Sequence, residues 1–208
     1  MTDTIFKRKS KVHKKGEYYF LLKRCMDISA ALFGGLFMIF PMILIALLIR
    51  MDSEGPVIYQ QERLGKDGIP FTLYKFRTMQ VDAEKNGPQL TQENDCRCTA
   101  IGYYLRKSHL DELPQLWNIL KGDMSLVGPR PEREYFYKLY DSQIPGFRNR
   151  LAVKPGLTGL AQIRGGYDLP PKEKLEHDME YIRTQSIPLD LLCILYTIRL
   201  ILTGEGAR

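Results

Sequence analysis

The chain has 208 residues, 44% hydrophobic and 26% charged, with a formal net charge of +6. This size suits one compact body with an accessory element, and the composition excludes a disordered or collagen-like chain. The four cysteines, Cys25, Cys96, Cys98 and Cys193, exclude a disulfide framework. Cys96 and Cys98 stand too close for an unstrained bridge, and no second Cys/His pair completes a zinc site, so reduced thiols are expected.

Residues 1–24 hold eight basic residues against two acidic ones, and the remainder balances 22 against 22. The whole excess therefore sits in an N-terminal arm. A polybasic stretch directly before an apolar segment reads as a contact with anionic membrane lipid rather than nucleic acid, or as a plain topogenic signal. Residues 28–49 follow without a charge, ISAALFGGLFMIFPMILIALLI. At 1.5 Å per residue a straight helix of this length reaches about 33 Å, enough to cross the hydrocarbon core. Pro41 lies inside the run, where it removes the amide bond to Phe37 and predicts a kink or a break. Basic residues flank both ends, Arg50, Arg63, Lys66, Lys75 and Arg77 on the far side, so the charge rule favours neither orientation. A kinked spanning helix and a helix that enters, bends near Pro41 and returns both satisfy these residues.

Residues 57–77 read as a hairpin turning at Lys66-Asp67-Gly68. On its second strand the two-residue period puts Phe71, Leu73, Lys75 and Arg77 on one face. A polar, irregular stretch precedes a helix predicted over 99–107. Asp111-Glu112-Leu113-Pro114 then opens another helix with Asp111 near the N-cap and Pro114 in the first turn. Leu113, Leu116, Trp117 and Leu120 form its stripe, and Gly122 is its stop. A helix N-terminus attracts anions, but composition alone favours the plainer reading, Asp111 as a cap and Glu112 as a first-turn charge. SLVGPRPE (125–132) is a rigid loop in which two prolines bracket Arg130, and a helix follows over about 132–141. KPGLTGLAQIRGG (154–166) is Gly-rich without the spacing of a nucleotide-binding loop. A further helix starts near 171. Residues 188–203 are apolar, short for a span and interrupted by Arg199, so they pack on the core or lie in the membrane interface. His13, His109 and His177 lack metal-ligand spacing, and no local signature suggests a serine-histidine-acid set.

The blocks KRCMDISAALFGG, GPVIYQQERLG, FTLYKFRTM, LRKSHLDELPQLWNILKGDMSLVGPRPE, KPGLTGLAQI and LEHDMEYI resemble the bacterial sugar transferases, the monotopic polyprenyl-phosphate phosphoglycosyl transferases. The resemblance runs from Lys23 to about Thr203. It implies an α+β, mostly helical fold: a re-entrant membrane helix-break-helix, a short β-hairpin and a helical catalytic domain with interfacial helices. Mapped onto this chain, that gives a basic cytosolic arm at 1–24, a re-entrant anchor at 25–50 and a cytosol-facing catalytic domain at 51–208. Extra N-terminal helices common among relatives are not seen, so the chain resembles the minimal catalytic form. The implied reaction transfers a sugar 1-phosphate from a UDP-sugar to undecaprenyl phosphate and releases UMP, with Mg2+ and a covalent phosphosugar on the first carboxylate of the Asp-Glu pair. It is an early membrane step in surface glycan or exopolysaccharide synthesis at the cytoplasmic face of the bacterial inner membrane.

On this chain the nucleophile and metal ligand would be Asp111, with Glu112 as a metal-positioning group or base. Charge stabilisation dominates phosphoryl transfer, so the candidate phosphate-binding cations are Arg106, Arg130, and Lys75 with Arg77. Asp178 matches an acidic family position. Two departures stand out. Gly165-Gly166 occupies a place where many relatives carry Arg, with Arg164 as the nearest cation. Asp95-Cys96-Arg97-Cys98-Thr99 replaces a D-P-R-x-T pattern. Competing readings are another lipid-phosphate enzyme, such as a phosphatase or a UDP-releasing glycosyltransferase, and a non-enzymatic membrane adaptor.

Overall fold

The computed structural model describes residues 16–85, 87–89, 95–165 and 169–203. Most of the basic arm (1–15) and Gly166 lie outside these. The fold is mostly helical with two small sheets.

Helix α1, Glu17–Asp52, is 36 residues long. It stays helical through Pro41, so of the kink or break expected there the break is excluded, and a bend at this point is a kink within the helix. One proline removes a single intrahelical bond, and the Leu, Ile, Met and Ala around it are strong helix formers. One stripe of α1, carrying Asp27, Ala31, Ile45 and Ile49, is buried. The opposite side leaves Phe33, Phe37 and Phe40 at least 75% exposed. Only 11% of its most apolar 18-residue stretch is buried, and among the described residues α1 is the one helix long and apolar enough to cross a membrane. A core helix would be covered all round; this one leaves its apolar side uncovered by the described residues.

Both ends of α1 bind the same body. Near the N-terminus, Lys23 Nζ and the Tyr19 hydroxyl donate to the buried Asp190 at 3.0 and 3.1 Å. Arg24 donates to the carbonyls of Ile119 and Leu120 at 2.7 and 2.8 Å. Asp27 accepts from the Ser125 hydroxyl at 3.0 Å and the Leu126 amide at 2.9 Å. Near the C-terminus, Ile45 and Ile49 pack with Phe76 and Leu105, and Asp52 accepts from the Ile101 amide at 3.1 Å.

Strands β1, Ile58–Leu64, and β2, Pro70–Phe76, pair antiparallel from Ile58↔Phe76 to Leu64↔Pro70. The turn falls at the expected Lys66-Asp67-Gly68, with Asp67 and Gly68 both at positive φ. Helix α2, Ala100–Lys107, is capped by the Thr99 hydroxyl, which accepts from the Gly102 amide. Helix α3, Gln115–Lys121, stops at Gly122 in the left-handed region. Asn118 fastens α3 to the hairpin: its side chain accepts from the Tyr74 amide at 3.1 Å and donates to the Thr72 carbonyl at 2.7 Å.

Strand β3, Ser125–Val127, and helix α4, Glu134–Gln143, come next, followed by β4, Gly156–Thr158, which pairs parallel with β3. The sequence reading saw loops at both strands. Glycines allow the pairing: a Cβ on Gly128 would stand 2.4 Å from the Lys154 carbonyl oxygen, and one on Gly156 would stand 2.1 Å from the Gly128 nitrogen. The glycines of the KPGLTG block therefore serve close backbone approach rather than phosphate binding. Helices α5, Leu160–Gly165, α6, Pro171–Thr184, and α7, Ile187–Thr203, complete the body. The main core joins Ala31 of α1 with Leu73, Ile119, Val127, Tyr181 and Cys193. Helix α7 packs through Asp190 and Cys193 and leaves Leu195, Ile198 and Leu202 exposed. All four cysteines are free thiols.

Candidate active site

Helix α2 ends at Lys107, and Ser108 closes it with its amide on the Tyr104 carbonyl. His109 then adopts the left-handed conformation, φ 56°. This turns the chain into a single 3-10 turn, Leu110–Glu112, before Pro114 and α3. Asp111 and Glu112 are thus buried in the connection between two helices. They do not cap α3 directly, as the sequence reading expected. The amides of Glu112 and Leu113 are bonded to the His109 and Leu110 carbonyls. The positive field at the pair therefore comes from side chains rather than free helix amides.

Three cations act on Asp111: Lys75 from β2, Arg106 from the last turn of α2 and Arg130 from the loop after β3. Arg130 holds Glu112 with both guanidinium nitrogens, in an ion pair between partly buried partners. Burial works to raise the Glu112 carboxyl, but the Arg130 charge and hydrogen bonds outweigh it and hold Glu112 below its ordinary range. Asp111 shows the opposite balance. Burial and then the Glu112 charge push it up to about 7, against the pull of the three cations. Burial pushes Lys75 down to about 8 while the charge of Asp111 resists. The Lys75 ammonium lies 5.3 Å from the centre of the Tyr59 ring across the hairpin. Lys75 and Arg106 make no ion pair among the described residues, so two cations stand beside a buried carboxylate with their charge uncommitted.

The other candidates fall elsewhere. Arg77 lies one residue past the end of β2, so the strand period no longer governs it. Its guanidinium donates to the carbonyls of Glu54 and Ser53 at 2.6 and 2.7 Å and to the Ser53 hydroxyl at 2.9 Å. It closes the C-terminus of α1 and does not join Lys75. Arg164 is on the surface in an ion pair with Glu180. Asp178 is buried and paired with Arg150, Nε to Oδ2 2.6 Å. It reaches the site only indirectly, because Arg150 also donates to the Arg130 carbonyl at 3.2 Å.

The sequence reading missed Arg63, Asn118 and Arg150. Arg63 is partly buried and donates to the Pro131 carbonyl at 2.9 Å and to Glu132 at 3.3 Å. Its place in the QQERLG block was visible, but its partners, nearly 70 residues away, were not. No three His, Cys, Asp or Glu side chains gather as a closed metal cage among the described residues. One free carboxylate is nonetheless what Mg2+ requires when the substrate supplies phosphate oxygens, and Asp111 is the site carboxylate not tied up by an arginine. The arrangement can bind a polyanion over a shielded carboxylate.

Comparison with known proteins agrees in kind. The family model described as bacterial sugar transferase matches residues 18–204. A UDP-N-acetylgalactosamine-undecaprenyl-phosphate N-acetylgalactosaminephosphotransferase of Aeromonas hydrophila is 45% identical over 91% of this chain and 46% of its own length. A UDP-glucose:undecaprenyl-phosphate glucose-1-phosphate transferase of Caulobacter vibrioides is 41% identical over 90% of this chain and 72% of its own. An exopolysaccharide production protein of Rhizobium leguminosarum bv. phaseoli is 41% identical over 89% of this chain and 98% of its own. The chain thus spans about half the length of the Aeromonas relative and nearly all of the Rhizobium one.

Proposed function

The chain belongs to the bacterial sugar transferase family, and from that premise we propose that it transfers a sugar 1-phosphate from a UDP-sugar to undecaprenyl phosphate and releases UMP. The observation that carries this reading is Asp111, a buried carboxylate facing Lys75, Arg106 and Arg130. A carboxylate attacking a diphosphate meets like charge, and fixed cations, of which Lys75 and Arg106 make no ion pair among the described residues, remove that obstacle without reorganising.

In the first step an Asp111 oxygen attacks the phosphorus that bears the sugar. The Asp111–phosphorus bond forms, and the bond from that phosphorus to the bridging oxygen breaks. The bridging oxygen leaves on UMP with the electron pair. In the second step a phosphate oxygen of undecaprenyl phosphate attacks the same phosphorus, the bond to Asp111 breaks, and the carboxylate returns. Lys75 and Arg106 bind the diphosphate. Arg130, held by Glu112, presents its remaining charge to the phosphoryl group in flight, so the main work of Glu112 is to hold Arg130. Mg2+ held by Asp111 and the substrate phosphates would neutralise the diphosphate and the departing UMP. The names of relatives carry more than one sugar, N-acetylgalactosamine, galactose and glucose among them, so the proposal stops at a UDP-hexose.

The same proposal places the body on the cytoplasmic face, with α1 entering the membrane and returning, the exposed side of α7 in the interface and the basic arm on anionic lipid. The test of the chemistry is UMP release from a panel of UDP-sugars with undecaprenyl phosphate. Without acceptor, one equivalent of UMP per enzyme and a phosphosugar adduct on Asp111 are expected. Asp111→Asn is expected to lose at least about a thousandfold in kcat. Release of UDP, or an active Asp111→Asn enzyme, would sink the mechanism.

A further inference from the structure

The loop that carries Arg130 is held through four successive carbonyls. The Pro129 oxygen accepts from the Gly156 amide at 2.9 Å, and the Glu132 oxygen from the Leu64 amide at 3.1 Å. Between them, the Arg130 oxygen accepts from Arg150 at 3.2 Å and the Pro131 oxygen from Arg63 at 2.9 Å. The prolines lock their own φ and restrict the residue before them. Pro131 narrows the peptide plane between Arg130 and Pro131 to an extended range, and within that range its carbonyl is the one that Arg150 holds.

Arg150 is itself held by an ion pair, a carbonyl and two rings, with only its Nη1 making no hydrogen bond. Its Nε donates to Asp178, and the two side chains are 1% and 2% exposed. Its guanidinium lies 4.8 Å from the Phe147 ring centre and 5.9 Å from that of Tyr137. Such a pair is poor material for stability alone. Taking two charges out of water costs about as much as their attraction returns, and apolar residues of like volume often serve as well. A salt bridge can do what they cannot, which is to aim a hydrogen bond.

We propose that Arg150 and Asp178 are positioning residues: together they fix the carbonyl of Arg130 and so hold its guanidinium on Glu112, beside Asp111. This rests on the reading of Asp111 as nucleophile. The line runs from the Asp178 carboxylate through Arg150 to the backbone of Arg130, and through that side chain to Glu112. Asp178, matched to a family acidic position as a substrate contact, acts here through two intermediaries and touches no substrate.

The test uses the full chain in lipid nanodiscs. The double variant Arg150→Met/Asp178→Leu removes both charges and leaves no buried ion unpaired. It is expected to melt cooperatively near the wild-type temperature and to lose about ten- to a hundredfold in kcat, the scale of a misplaced catalytic group, with the KM for UDP-sugar little changed. Adding Arg130→Ala to it is expected to cost less than threefold more, because the two changes remove the same function. Arg150→Lys, which keeps the charge but cannot reach both Asp178 and the Arg130 carbonyl, should show the same kcat loss and covers the case in which the double variant does not fold. In a crystal structure of either variant the Arg130 guanidinium should leave Glu112. A folded variant with wild-type kcat, or with the Arg130–Glu112 pair in place, overturns the proposal. If the wild type releases no UMP from any UDP-sugar, the proposed reaction fails instead, and the position of Arg130 in the variant crystals still decides the role of Arg150.

Discussion

At the scale of single residues, the carboxylates 111 and 112 differ because only one of them has an arginine. Glu112 is neutralised by Arg130; Asp111 is buried and faces cations that do not touch it. That difference has a consequence for stability. Asp111 is raised to about 7 in the folded chain, against about 3.9 in an unfolded one. Between those values the folded state binds the extra proton, so stability falls as pH rises from about 4 to 7 and stays low above it. Asp111→Asn lacks this term. In chelator-containing buffer it is expected to match wild type near pH 4 and to become more stable by roughly 2–4 kcal/mol at pH 8, while losing activity. Thermal melts of both proteins across that range check it; equal melting at pH 8 would mean that Asp111 is not electrostatically strained. The identity of the pair was visible in the sequence, but the division between its members was not. That division depends on Arg130, 18 positions away through a loop whose path no local pattern describes.

At the scale of elements, short-range signals were legible and long-range pairings were not. The hairpin turn, the Thr99–Lys107 helix, the Gly122 stop and the start near Pro171 each rest on neighbours in the sequence. Strands β3 and β4 are three residues each and meet about 30 positions apart, with no local signature beyond glycines, so they read as loops. Arg77 was misplaced because alternation was extended one residue beyond a strand that ends at Phe76. Asn118 was passed over as one polar residue among the apolar ones of α3, yet it is fully buried and acts as a partner to the edge of β2. It sets the distance between the element carrying Lys75 and the helix that follows Asp111. Asn118→Leu keeps the volume and strands the Tyr74 amide and the Thr72 carbonyl. Each unsatisfied buried group costs about 1–3 kcal/mol, so chemical denaturation should show a loss of roughly 2–5 kcal/mol. A loss below about 1 kcal/mol would mean that water replaces both bonds.

At the scale of the whole molecule, the question is how a 36-residue helix with an apolar, uncovered side meets a membrane while bound at both ends to one body. A straight crossing would put its flanks on opposite sides of about 30 Å of hydrocarbon. Here Lys23, Arg24 and Asp27 at one end and Ile49 and Asp52 at the other hold the same catalytic body. The body carries buried ion pairs and a polar site that hydrocarbon would not tolerate, which supports the proposal that both flanks belong to one face. On that proposal the middle of α1, from Leu32 to Leu44, bends at Pro41 and is the part that enters lipid, with the apolar side of α7 beside it. The expected labelling pattern follows. In a background without native cysteines, Tyr18→Cys and Glu62→Cys should react with an impermeant maleimide from the same side of sealed vesicles, and Phe37→Cys should resist it from both sides until detergent is added. Labelling of positions 18 and 62 from opposite sides would require the contacts at one end of α1 to be broken in the membrane. The coupling between anchor and site through Asp27, β3 and the Arg130 loop would then be lost as well. Topology and catalytic geometry therefore stand on the same set of contacts, and an Asp27→Leu chain, which cuts the contact to β3, should label as a returning helix only if the C-terminal attachments of α1 suffice to hold it.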